Sequence, residues 1–139
     1  MPENSTDLGS FNGDLLADGL NNKQAFQRLE DLLEELKMRI AAAVTAEVSL
    51  DEVPVANFHA CKWLVEAHED ATPANRKAWE VYALNDGTSV DETVYSKLKL
   101  GANFSADVGV DISGGQMRLR VSSASAGVTF KARRIGVVS

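Results

Sequence analysis

The chain has 139 residues, 45% of them hydrophobic and 6% aromatic, with a formal net charge of −6. That length suits one domain of ordinary size with an accessory segment, and the composition permits a largely aliphatic core. The single cysteine, Cys61, excludes an intrachain disulfide; no stretch nears the roughly 18 apolar residues of a membrane span; and the polar, acidic start does not read as a secretory signal.

The charge is unevenly shared. Up to Pro54 there are eleven acidic and four basic residues; from Val55 onward there are nine and ten. An acidic first part argues against nucleic-acid binding there and suits a protein partner with a basic surface.

Residues 1–21 are rich in Asn, Ser, Asp and Gly, with Leu8, Phe11, Leu15, Leu16 and Leu20 as isolated apolar positions. Such a segment cannot bury enough surface to fold alone. It reads as a flexible anchoring segment whose five apolar side chains are candidate contacts with a partner.

Residues 22–50 read as an oligomerisation helix. Phe26, Leu33 and Ile40 are seven apart, and Leu29, Leu36 and Ala43 repeat the spacing at an offset of three. This is a coiled-coil a/d pattern. Asn21 or Asn22 is a candidate N-cap, and no Gly or Pro interrupts the run from Lys23 to Glu47. Leu32 widens the stripe, which also suits packing on the helix's own domain. Phe26, Leu29, Leu33, Leu36 and Ile40 are the candidate assembly residues.

Asp51-Glu52-Val53-Pro54 marks the expected boundary, and residues 55–139 read as an antiparallel β-sandwich of six strands, jelly-roll-like in outline. Trp63, Val65 and Ala67 alternate on the first strand, about 60–69, and Trp79, Val81 and Ala83 on the second, about 77–84. Asn85-Asp86-Gly87-Thr88 is a turn signal, followed by a strand at about 92–98. Phe104, Ala106, Val108, Val110 and Ile112 then share one parity, and Met117, Leu119 and Val121 repeat it after Gly114-Gly115. Val128, Phe130 and Ala132 repeat it again after Gly127. Period-2 alternation punctuated by glycine is the pattern of an antiparallel sheet with one buried face.

Catalytic and metal chemistry finds little footing. His59, Cys61 and His68 are too few for a zinc site. No G-x-S-x-G elbow is present, Gly114-Gly115 is not followed by a helix or a Walker lysine, and the paired carboxylates fall at turns. No enzyme activity, cofactor or metal is expected. Arg118 and Arg120, with Lys131 and Arg133, alternate with the apolar residues of the last two strands. They are expected to form one basic patch on adjacent strands, a candidate interaction face whose plain alternative is a solvated outer surface. Aromatic residues that could stack bases are not interleaved there, so nucleic acid is not an expected partner.

The ordered set Lys62-Trp63-Leu64-Val65, Trp79-Glu80-Val81-Tyr82-Ala83-Leu84-Asn85-Asp86-Gly87-Thr88, Val110-Asp111-Ile112-Ser113-Gly114-Gly115-Gln116-Met117-Arg118-Leu119 and Phe130-Lys131-Ala132-Arg133-Arg134-Ile135 resembles a module of bacteriophage virion structural proteins. The resemblance covers about 60–138. It implies a non-enzymatic virion component, a fibre, spike or head-decoration protein that is often trimeric and contacts other virion proteins. It does not imply a place on the particle. A carbohydrate-binding module that contacts host-surface glycan is the alternative, with Trp63, Trp79, Tyr82 and Tyr95 as candidate aromatics.

Overall fold

The computed structural model describes residues 22–139; the anchor candidates Leu8, Phe11, Leu15, Leu16 and Leu20 lie outside the described residues. The chain divides into two compact units after Leu36. The described part of the first is helix α1 (Asn22–Leu36). The second holds eight strands: β1 (Arg39–Val44), β2 (Val48–Pro54), β3 (Ala60–Glu69), β4 (Arg76–Asn85), β5 (Val90–Leu100), β6 (Asp107–Ser113), β7 (Gln116–Ser122) and β8 (Val128–Val138).

The expected helix therefore ends about fourteen residues early, and residues 39–54 are strand. Alanine-rich β1 has good helix propensity, but tertiary pairing overrides it. Arg39 pairs with Ala132, Ile40 with Lys131 and Ala41 with Phe130, while Val44 is buried. Asp51 to Pro54 is not a linker: these residues pair with β7 from Leu119 to Gln116. The β unit thus begins before residue 55 and has eight strands rather than six.

The strands form two antiparallel sheets, in the orders β1-β8-β3-β4-β5 and β2-β7-β6. Buried side chains from both contribute to one core: Trp63, Val65, Val81 and Phe130 from the larger sheet, Val53, Met117, Leu119 and Val121 from the smaller. The alternation on β3, β4, β7 and β8 supplies most of these inward residues. Phe104 and Ala106 are buried too, but from the loop ahead of β6 rather than from a strand.

Turn chemistry fixes the connections. Gly114 and Gly115 both have positive φ, 58° and 75°, as a two-residue hairpin between β6 and β7 requires. After β5, Gly101 has φ 75°, and Asn75 closes the turn by accepting from the Ala102 amide at 2.8 Å. A Cβ on Gly101 would lie 2.3 Å from the Asn75 side-chain oxygen. Gly101→Ala is expected to lower unfolding free energy by roughly 2 kcal/mol, from left-handed strain plus loss of that contact, read in a urea titration.

Of the four register shifts among the described residues, in β1–β8, β2–β7, β3–β8 and β4–β5, two re-aim charged side chains. A bulge at Leu50 in β2 turns both Leu50 and Asp51 inward. A second, in β5, lies between the pairs Ala78–Leu98 and Glu80–Tyr95, where Ser96 takes φ 53°.

Candidate interaction surfaces

The bulge at Leu50 places a carboxylate inside. Oδ1 of Asp51 accepts from Arg39 Nε at 3.1 Å, the Glu52 amide at 2.9 Å and an Arg134 terminal nitrogen at 2.9 Å. Oδ2 accepts from Trp63 Nε1 at 2.8 Å and Arg134 Nε at 2.7 Å. Burial alone would raise this carboxyl; the hydrogen bonds from Arg134 and Trp63, with the charges of Arg134 and Arg39, outweigh it and hold it below the usual carboxylate range. The cluster joins β1, β3 and β8 of one sheet to β2 of the other. It is a structural tie rather than an open site.

The expected basic patch is divided. β7 and β8 belong to different sheets, so Arg118 and Arg120 do not share a surface with Lys131 and Arg133. Chain neighbours joined by a glycine-containing loop need not be sheet neighbours when the loop passes from one sheet to the other. Arg118 donates to both oxygens of Asp111, at 2.8 and 2.7 Å, and Arg120 to Glu47 at 3.2 and 2.7 Å. The Arg118 hydrogen bond holds the Asp111 carboxyl low, against a small opposing effect of burial. These cations are already matched by carboxylates of their own chain.

The outer face of the larger sheet is different in character. A shallow depression of about 190 Å³ is lined by Met38, Leu64, Glu66, Lys131, Ala132 and Arg133. Ile40, cross-strand from Lys131, is exposed beside it, and Tyr82 and Leu84 are exposed on β4. Tyr95 has the Lys62 ammonium 5.1 Å from its ring centroid, and Glu80 is 3.9 Å from the same nitrogen. Trp63 and Trp79, 0% and 6% exposed, are core residues and cannot stack on a glycan. Exposed apolar side chains interleaved with charges on one face suit a protein contact.

On α1, Phe26, Leu29, Leu32 and Leu33 are all exposed, Phe26 at 68%. Leu36 is the last helical residue. Ile40 is not on the helix, so the heptad seam is two repeats long rather than three. Cys61 is buried, and among the described residues no three His, Cys, Asp or Glu side chains are placed to hold a metal ion.

The fold has a counterpart among solved structures over most of the chain. The tailspike protein of Acinetobacter phage vB_ApiP_P1 matches 73% of this chain with a TM-score of 0.53 and 14% sequence identity. The fold is similar to part of a phage tailspike. The match takes up 22% of the tailspike's own length, so this chain spans about a fifth of that protein. The tailspike protein of Acinetobacter baumannii phage AM24 aligns over 86% of this chain and 30% of its own, at 10% identity and a TM-score of 0.34, too low to speak for a shared fold. No protein-family model and no curated protein matches the chain.

Proposed function

We propose that the chain is a non-enzymatic structural component of a phage virion. It assembles through α1 with copies of itself as a homotrimer, meets other virion proteins, and displays its two-sheet unit. The observation that carries this reading is the shared fold with a phage tailspike over 73% of the chain. The nested pairing of β1 with β8 and of β2 with β7 supports the jelly-roll-like outline. The exposed stripe of Phe26, Leu29 and Leu33 supports a short coiled coil. A 15-residue helix is marginal alone, so the sheet unit shares the interface, with the outer face around Ile40, Leu64, Lys131 and Arg133 as its contribution. The alternative reading is a carbohydrate-binding module that contacts a host-surface glycan.

Light scattering on the intact chain is expected to give three times the monomer mass. Substituting Phe26, Leu29 and Leu33 together by Gln should return a monomer whose sheet unit melts as before. An intact chain that stays monomeric up to its solubility limit would overturn the assembly.

A further inference from the structure

The bulge at Ser96 has the opposite effect from what the β5 sequence favours. Val94 packs against the core. Uninterrupted alternation would put Leu98 and Leu100 on that same inner side. The left-handed Ser96 shifts the parity, so Leu98 and Leu100 stand 69% and 68% exposed. Lys97 and Lys99 take the inner side instead, with Lys99 directly across from Lys77. A non-glycine residue at positive φ is strained, and bulges of this kind re-aim side chains. Like charges placed directly opposite also destabilise a sheet. Two unfavourable choices thus converge on three lysines.

These lysines line a groove of about 300 Å³ with Trp79, Asn103 and Asp107. Lys77 donates to the Phe104 carbonyl and lies 5.0 Å from the Phe104 ring centroid, which pins it while leaving two of its three N–H donors. Elsewhere on the sheets, Arg39, Arg76, Arg118, Arg120, Arg134 and Lys62 each lie within 4.0 Å of a carboxylate. Among the described residues no such pair includes Lys77, Lys97 or Lys99. Here, as at Lys131 and Arg133, no carboxylate of the described residues lies within that distance, but here three cations gather around one groove.

We propose that the groove bounded by Lys77, Lys97, Lys99, Asn103 and Asp107 binds an acidic saccharide, its anionic groups on the lysines and its hydroxyls on Asn103 and Asp107. The carboxylate at the rim selects against a bare polyanion and favours a ligand that also brings hydroxyl donors. Trp79 and Phe104, 6% and 5% exposed, offer no ring face for a nucleobase. The inference rests on the alternative, glycan-binding reading and moves its site away from Tyr82 and Tyr95; it is independent of assembly through α1.

The test is calorimetric titration of the full chain with an oligogalacturonate at low salt. Binding is expected, and at least tenfold weakening in Lys97→Gln/Lys99→Gln. Arg118→Gln/Arg120→Gln and Tyr82→Ala/Tyr95→Ala should bind as the parent does, and a neutral oligosaccharide of equal length at least tenfold more weakly. The lysine variant relieves repulsion, so its melting temperature should be no lower than the parent's. Loss in the tyrosine variant instead of the lysine variant would sink this site while leaving the glycan reading standing. Equal loss in both charge variants would show diffuse attraction only and overturn the site. Equal affinity for a single-stranded oligonucleotide of the same charge would overturn the saccharide class, and no binding of the oligogalacturonate would overturn the inference outright.

Discussion

Asp51→Ala is expected to destabilise the two-sheet unit by about 3–5 kcal/mol, the scale seen when one partner of a buried ion pair is removed. Five donors converge on this carboxylate, and Arg39 and Arg134 are nearly buried, with side chains 12% and 10% exposed. Without Asp51, two guanidinium groups and the Trp63 indole N–H lose their common acceptor in a dry place. A domain typically has 5–15 kcal/mol in hand, so the loss takes away a large part of it. Asp51→Asn should fare little better despite its shape. An amide nitrogen cannot accept, so either the Trp63–Arg134 pair or the Arg39–Arg134–Glu52 set would face a donor. Urea unfolding of the three proteins checks this; an Asn variant as stable as the parent would show that the negative charge is dispensable. The same group sets a pH dependence. Its folded-state pKa is depressed, so its contribution is fully present above the unfolded carboxylate value near 3.9 and is lost as pH falls through the folded value. Stability should therefore fall below about pH 4, and less steeply in Asp51→Ala.

A chain beginning at Lys37 is expected to fold, whereas one beginning at Val55 is expected not to. Starting at Lys37 removes only the helical unit, which ends at Leu36. Starting at Val55 removes β1 and β2, and with them the buried Val44, Leu50 and Val53. Losing Leu50 alone costs about 2–5 kcal/mol on the scale of core truncations, and the smaller Val44 and Val53 add to it. The truncation would also strip one of the two partner strands from β7 and leave Trp63 and Arg134 facing the hole where Asp51 sat. Circular dichroism and amide chemical-shift dispersion of the two truncations test this. A cooperative melt of the shorter one at the parent's temperature would mean that β1 and β2 only decorate the unit.

The strands with one clean buried face were legible from residues alone. Trp63, Val65 and Ala67 on β3, and Met117, Leu119 and Val121 on β7, alternate without interruption and are buried as the pattern requires. What misled was a coincidence of spacing: Ile40 stands seven residues after Leu33, and the Ala-rich stretch that follows has helical propensity. No local signal says that β8 will claim it. The bulges at Leu50 and Ser96 were hidden for a related reason. Each inverts parity through a contact made elsewhere, so a strand read in isolation shows only a muddled pattern. The basic residues were given the right parity but the wrong neighbours, since alternation reports the face of a strand and not the sheet it joins. The lysine groove could have been suspected from Lys97 and Lys99, two same-parity cations on one strand, but Lys77 joins them only through the register of β4 against β5.

The pairing of β1 with β8 also bears on how the molecule comes into being. The two strands farthest apart in the unit's sequence are neighbours in its larger sheet, and Asp51 meets Arg134 across nearly the same span. Contacts of such long separation must be closed against chain entropy before they contribute, which places the unit among slow-folding, high-contact-order topologies. During synthesis β2 has no edge to join until β7 has emerged and β1 none until β8 has, so the β3 edge that β8 will cover waits open in the growing chain. The same stitching that makes the finished sheets depend on both ends of the unit makes the nascent chain vulnerable to pairing with its neighbours on a crowded polysome.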